Sequence, residues 1–144
     1  MQKPKTMLER RSNPDSSDVS LLHEAFAIAV GGALGASLRY AVLLGTQSAN
    51  HHAAWATAGA NWLGALLLGM IVARVDSPRA HPLIRPFLVV GVFGSFTTFS
   101  ALASDNRSLA LQHGELVAGL HIVGSILAGL LAFAAGSAIA RGLR

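Results

Sequence analysis

The sequence contains no cysteine, which closes off a disulfide framework, a thiolate metal site and a cysteine nucleophile. Charge is scarce as well: Asp, Glu, Lys and Arg make up 12% of the residues against 52% hydrophobic ones, and the mean hydropathy is +0.50. A soluble domain carries about twice that share of charge, so the composition points to an integral membrane protein. Carboxylates are missing from the interior of every long apolar run, since Glu24, Asp76, Asp105 and Glu115 stand at or beyond the ends. A small proton-coupled exporter of cationic drugs needs a buried carboxylate to exchange proton for substrate, and that class loses weight here. Residues 1–24, MQKPKTMLERRSNPDSSDVSLLHE, lack the apolar core of a signal peptide; polar and marked by Pro4 and Pro14, they read as a largely disordered tail.

Four apolar runs follow the tail, at Phe26–Gly45, Ala53–Ala73, Leu83–Ala103 and Leu116–Ala140. Each is close to the roughly 20 residues that cross a bilayer core as a helix. The connectors TQSANHH, RVDSPRAH and SDNRSLALQHGE carry turn or charge signals. The expectation is an all-α membrane protein: residues 25–144 form one domain of four transmembrane helices, with no space for a catalytic domain outside the membrane and no enzymatic activity. The net charge of +4 and pI near 10.7 do not imply nucleic acid, because the basic residues lie outside the apolar runs rather than among exposed aromatics. They report topology instead. Lys3, Lys5, Arg10, Arg11, Arg74, Arg79, Arg85, Arg141 and Arg144 fall on one face, nine against Arg39 and Arg107 on the other, which places both termini in the cytoplasm.

Small residues recur at four-residue spacing, Gly31 with Gly35, Gly32 with Ala36, and Ala60 with Gly64, as where helix backbones approach closely. Polar residues at membrane depth are fewer: Asn61 in the second run, Thr97, Thr98 and Ser100 in the third, His121 and Ser125 in the fourth. Singly, each reads as a packing hydrogen bond between helices. Together, across three helices, they read as a track of neutral donors, which suits a small anion better than a cation. His121 and Ser125, four apart, share one helical face with Gly129, whereas His51 and His52 are adjacent and cannot form a metal pair on one face.

The stretch GVFGSFTTFS, Gly91 to Ser100, sets loosened backbone and hydroxyls inside a span, and it closely resembles the third-helix signature of the small fluoride channels known as CrcB or Fluc. GGALGASLRY, Gly31 to Tyr40, resembles the first-helix motif of that family, and GANWLGALLLG, Gly59 to Gly69, its second-helix motif built around one asparagine. The resemblance covers all four spans in order. It implies two four-helix subunits packed antiparallel, with the third helix of each interrupted at mid-membrane and crossing its partner's. It also implies a structural sodium ion at the crossing, held by the backbone carbonyls of Gly94 and Thr97.

On the same resemblance, Asn61, Thr98, Phe99, Ser100, His121 and Ser125 fall along the fluoride route, with Arg39 at the vestibule. An aromatic ring turns a positive edge toward an anion, which gives Phe99 its physical logic. Two positions depart from the family: Leu102 stands where a second phenylalanine is expected, and His121 where a tyrosine is. The implied activity is passive, fluoride-selective export that relieves fluoride toxicity, in a multi-pass protein of the inner (plasma) membrane whose partners are fluoride, sodium, lipid and a second subunit. Two classes compete with it, a non-conducting helical assembly subunit and a cationic-drug antiporter. The second subunit stays open between another copy and an oppositely oriented paralogue. The charge asymmetry favours one orientation of this chain, and the two departures fit a partner that supplies an intact route.

Overall fold

The computed structural model describes residues 14–47, 53–75 and 80–142. They form α1 (Pro14–Gln47), α2 (Ala53–Val75), a π-helical stretch (Pro86–Phe93) that runs into a single turn α3 (Gly94–Phe96), then α4 (Phe99–His113) and α5 (Glu115–Gly142). Among the described residues four segments are long and apolar enough to cross a membrane, Ser20–Thr46, Ala54–Val72, Pro86–His113 and Glu115–Gly142. The chain is therefore an all-helical, multi-pass membrane protein.

Two boundaries differ from the sequence reading. Residues 14–24, expected in the disordered tail, belong to α1. Polar residues end the part of a helix that suits hydrocarbon, but its backbone bonds persist in water, and proline is well placed at a first helical position. The rest of the expected tail, 1–13, lies outside the described residues. The second difference is SDNRSLALQHGE, read as a connector, which is helical through His113. Its polar side chains suggested a loop, yet it holds no proline and no glycine before Gly114. At Gly114 a φ of 89°, which glycine adopts without steric cost, turns the chain from α4 into α5. Asp105 consequently lies inside the third membrane-length segment rather than beyond its end.

Backbones meet closely along two seams. α1 packs on the π-helical stretch and α3, and a Cβ added at Gly35 would collide with the Val92 carbonyl, as one at Gly31 would with the Phe87 carbonyl. α2 packs on α5, where Gly136 lies against the Leu66 carbonyl and the Ser137 hydroxyl donates to the Gly69 carbonyl oxygen at 3.2 Å. Without a hydrophobic drive between helices in lipid, such close approach and its hydrogen bonds supply the association energy. The buried side chains are accordingly mostly small, Ala58, Ala60, Ala118 and Ala140 among them, with Phe93, Phe96, Leu102 and His121 as the larger members. Leu21, Phe26, Leu127 and Leu131 lie exposed on the outer surface, as lipid or a second subunit requires.

Candidate ion pathway

Pro86, which has no N–H to donate, opens the π-helical stretch, and the Gly94 N–H closes it by reaching back to the carbonyls of Val89 and Gly91. One turn later the backbone leaves the helix: Thr97 (φ −83°, ψ 148°) and Thr98 (φ −148°, ψ 125°) are extended. In an unbroken helix the N–H of Thr98 would bond the Gly94 carbonyl, that of Phe99 the Ser95 carbonyl, and that of Ala101 the Thr97 carbonyl. Substitutes stand in for these bonds. Thr98 N–H donates to Asn61 Oδ1 at 2.8 Å, and Asn61 Nδ2 donates back to the Thr98 carbonyl at 3.0 Å. The carboxamide thus pairs with both backbone groups of Thr98, as a neighbouring strand would. Arg39 Nε donates to the Ser95 carbonyl at 3.1 Å.

The hydroxyls of the opening motif are engaged at the same place. Thr97 Oγ1 donates to the Phe93 carbonyl at 2.8 Å. Thr98 Oγ1 accepts from Ala101 N–H at 3.2 Å, capping α4, and lies 3.0 Å from Ser100 Oγ. A cation at the break meets suitable chemistry. The Gly94 and Thr97 carbonyls have lost their helical donors to Asn61 and to the Thr98 hydroxyl, and such carbonyls suit a hard ion. Among the described residues no three His, Asp or Glu side chains gather as a metal site.

The expected pathway residues fall into two groups. Asn61, Thr98 and Ser100 are joined by the bonds above, and Arg39 and Thr98 line a narrow cleft with Thr57, Ala60 and Ala101. Phe99, beside them, is 68% exposed on the surface of the single subunit, whereas Leu102, the departure three residues on, is buried inside it. The second group sits on α5. His121 and Ser125 are both buried, and neither imidazole nitrogen of the one nor the hydroxyl of the other has a hydrogen-bond partner. Leaving such groups unpaired costs about 1–3 kcal/mol each, a cost more often found at functional sites than in packing seams. Asp105 Oδ2 on α4 is likewise buried and unpaired.

Three residues were missed by the sequence reading. Trp55 sets its ring edge-on to His121, with centroids 5.6 Å apart. Trp62 donates its indole N–H to the Ser125 carbonyl at 3.0 Å, and His113 lines a groove with His121. A tryptophan near the head of a span reads first as an interfacial anchor, which hides its inward contact.

Residues 26–137 match the family model described as CrcB-like protein, Camphor Resistance (CrcB). The fluoride-specific ion channel FluC 2 of Thermobifida fusca is 42% identical over 110 residues, 76% of this chain and 82% of its own length. The fluoride-specific ion channel FluC of Idiomarina loihiensis is 40% identical over 109 residues, 75% and 84% of the two chains. That of Stutzerimonas stutzeri is 38% identical over 124 residues, 84% of this chain and 99% of the relative.

Proposed function

The chain belongs to the CrcB family, and on that premise we propose that it is a fluoride-selective channel through which the ion leaves the cytoplasm down its electrochemical gradient. Membership makes it a transporter rather than an enzyme. Fluoride is small and tightly hydrated, so a route for it must replace lost water with several donors close together. The observation that carries the reading is the break at Thr97 and Thr98. Extended backbone at membrane depth is tolerated only where it is buried in protein or lines a cavity, and here two residues from elsewhere in the chain, Asn61 and Arg39, support it.

Within this reading Asn61 has a double part. One N–H of its carboxamide holds Thr98, and the second is left for the ion. Arg39 likewise spends its Nε on Ser95 and keeps the terminal guanidinium nitrogens to draw anions toward the cleft. Ser100, Phe99 and Ser125 continue the route, Phe99 through its positive ring edge. A sodium ion on the Gly94 and Thr97 carbonyls of two subunits would supply fixed positive charge at the crossing. The partner is a second subunit packed antiparallel, a reading supported by the exposure of Gly94 and Phe99 on the single subunit. The setting is the inner (plasma) membrane with cytoplasmic termini. The nine-to-two distribution of Lys and Arg supports an oppositely oriented paralogue as that partner.

Cells stripped of their own fluoride export test this directly. Expression of this chain, alone or together with a paralogue of opposite charge bias, restores growth on fluoride, and a C-terminal topology reporter stays cytoplasmic. Failure to restore growth in both settings, with the protein present in the membrane, contradicts the reading. Dual orientation with rescue by this chain alone removes the paralogue and leaves the homodimer.

A further inference from the structure

At the α4–α5 turn lies an open groove of about 490 Å³, lined by Trp55 from α2, Leu109 and His113 from α4, and Val117, Leu120 and the buried His121 from α5. It has room for many waters or a hydrated ion, since one water occupies about 30 Å³ of liquid volume. His121 is 8% exposed, yet neither of its nitrogens is satisfied by the protein. Trp55 fixes the plane of the ring without using either nitrogen. Ser125, one turn deeper on α5, is also buried with an unpartnered hydroxyl. A ring so held, with unused polar atoms in the wall of a groove, is arranged for a ligand rather than for packing.

Protonation state decides which ligand. A neutral imidazole offers one N–H and one lone pair, and the lone pair repels an anion; an imidazolium offers two N–H donors and a positive charge. Histidine makes that change between about pH 5 and 8. The elements packed against α5 are α2 and α4. α4 brings Asp105, Arg107 and His113; α2 brings only Arg74, at its far end; α5 itself carries Glu115 at its start and Arg141 at its end. None of these hydrogen-bonds His121. Asp105 is the one carboxylate on α4, and its Oδ2 is buried without a hydrogen-bond partner.

We infer that His121 is a protonatable anion donor in this groove, so that fluoride passage through this chain is linked to protons and rises on acidification. The inference rests on the channel reading above and deepens it. Under the topology set by the basic residues, the groove lies toward the side of the membrane opposite the termini. That is the side from which hydrogen fluoride enters when the medium is acidic.

Two measurements on the purified full chain, alone and assembled with its partner, test it. The first is the titration of the His121 ring followed by NMR in detergent, in sodium fluoride and in sodium gluconate. The second is fluoride efflux from proteoliposomes at about pH 5.5 and pH 8, with protein-free vesicles subtracting the leak of hydrogen fluoride. By linkage, fluoride is expected to raise the ring's midpoint by about 0.3 unit or more. Efflux from the wild type at the lower pH should exceed that at the higher by about threefold, a ratio kept by His113→Gln and reduced to near one by His121→Gln. A midpoint unmoved by fluoride, or a wild-type ratio no larger than that of His121→Gln, overturns the inference. Absence of flux at every pH, from this chain alone and from this chain assembled with its partner, removes the channel reading, and the ring's response to fluoride still decides whether the anion site exists.

Discussion

Replacing Asn61 with alanine removes more than a donor from the ion route. The carboxamide makes two hydrogen bonds to one residue, at 2.8 and 3.0 Å, and both belong to a peptide that has no helical partner. Truncation strands the Thr98 N–H and carbonyl at membrane depth. Each stranded group costs about 1–3 kcal/mol, and because the site is only half-buried the lower half of the range applies to each, giving a loss of about 2–4 kcal/mol for the two. Asn61→Asp separates the two bonds: it keeps an acceptor for the Thr98 N–H, gives up the donor to the carbonyl, and sets a negative charge where an anion must pass. The alanine variant should therefore lose both stability and flux, and the aspartate variant should lose less stability with at least as much flux. Chemical unfolding in detergent followed by tryptophan fluorescence, beside liposome efflux of the same preparations, reads both quantities. An alanine variant within about 0.5 kcal/mol of wild type and with normal flux would refute the bracket.

Three further outcomes are expected. Gly35→Ala drives a methyl into the Val92 carbonyl and should abolish folding, seen as loss of a monodisperse elution peak, whereas Gly45→Ala, with open space at its Cβ, should leave it intact. Gly94→Val meets only the Val89 carbonyl at 3.7 Å within the subunit, so it should spare the single chain's fold and damage assembly and flux, while Thr97→Ala loses one hydroxyl bond worth about 1 kcal/mol and should be mild; equal tolerance of both in crosslinking and efflux would remove the central crossing. Arg39→Lys keeps the charge but not the Nε bond to Ser95, so a flux loss as large as that of Arg39→Gln assigns the residue to holding the break, and full activity of the lysine variant assigns it to charge alone.

Hydropathy made the four spans legible because length and apolar content are properties of the residues themselves. The helix ends were less so: nothing in DSSDVSLLH marks where a helix leaves hydrocarbon, and Asp105, Asn106 and Arg107 looked like loop residues although only Gly114 stops the helix. At the site, hydroxyls clustered in GVFGSFTTFS signalled backbone out of the ordinary, and Asn61 stood out as an amide at membrane depth. That these two features complete each other, 37 residues apart, depends on how α2 lies beside the break, which no local pattern encodes. Trp55 and His121 likewise meet only through tertiary packing. Leu102 shows the converse. As a departure it suggested a damaged route, yet its side chain turns inward while Phe99 faces out.

The central claim, a pathway selective for fluoride, is tested most directly by ion release from liposomes holding this chain with its proper partner, read with a fluoride electrode and a chloride electrode. Rapid fluoride efflux with chloride retained, lost on Asn61→Ala, is the predicted result. Equal release of both ions, or release of neither from a folded and assembled protein, would contradict it.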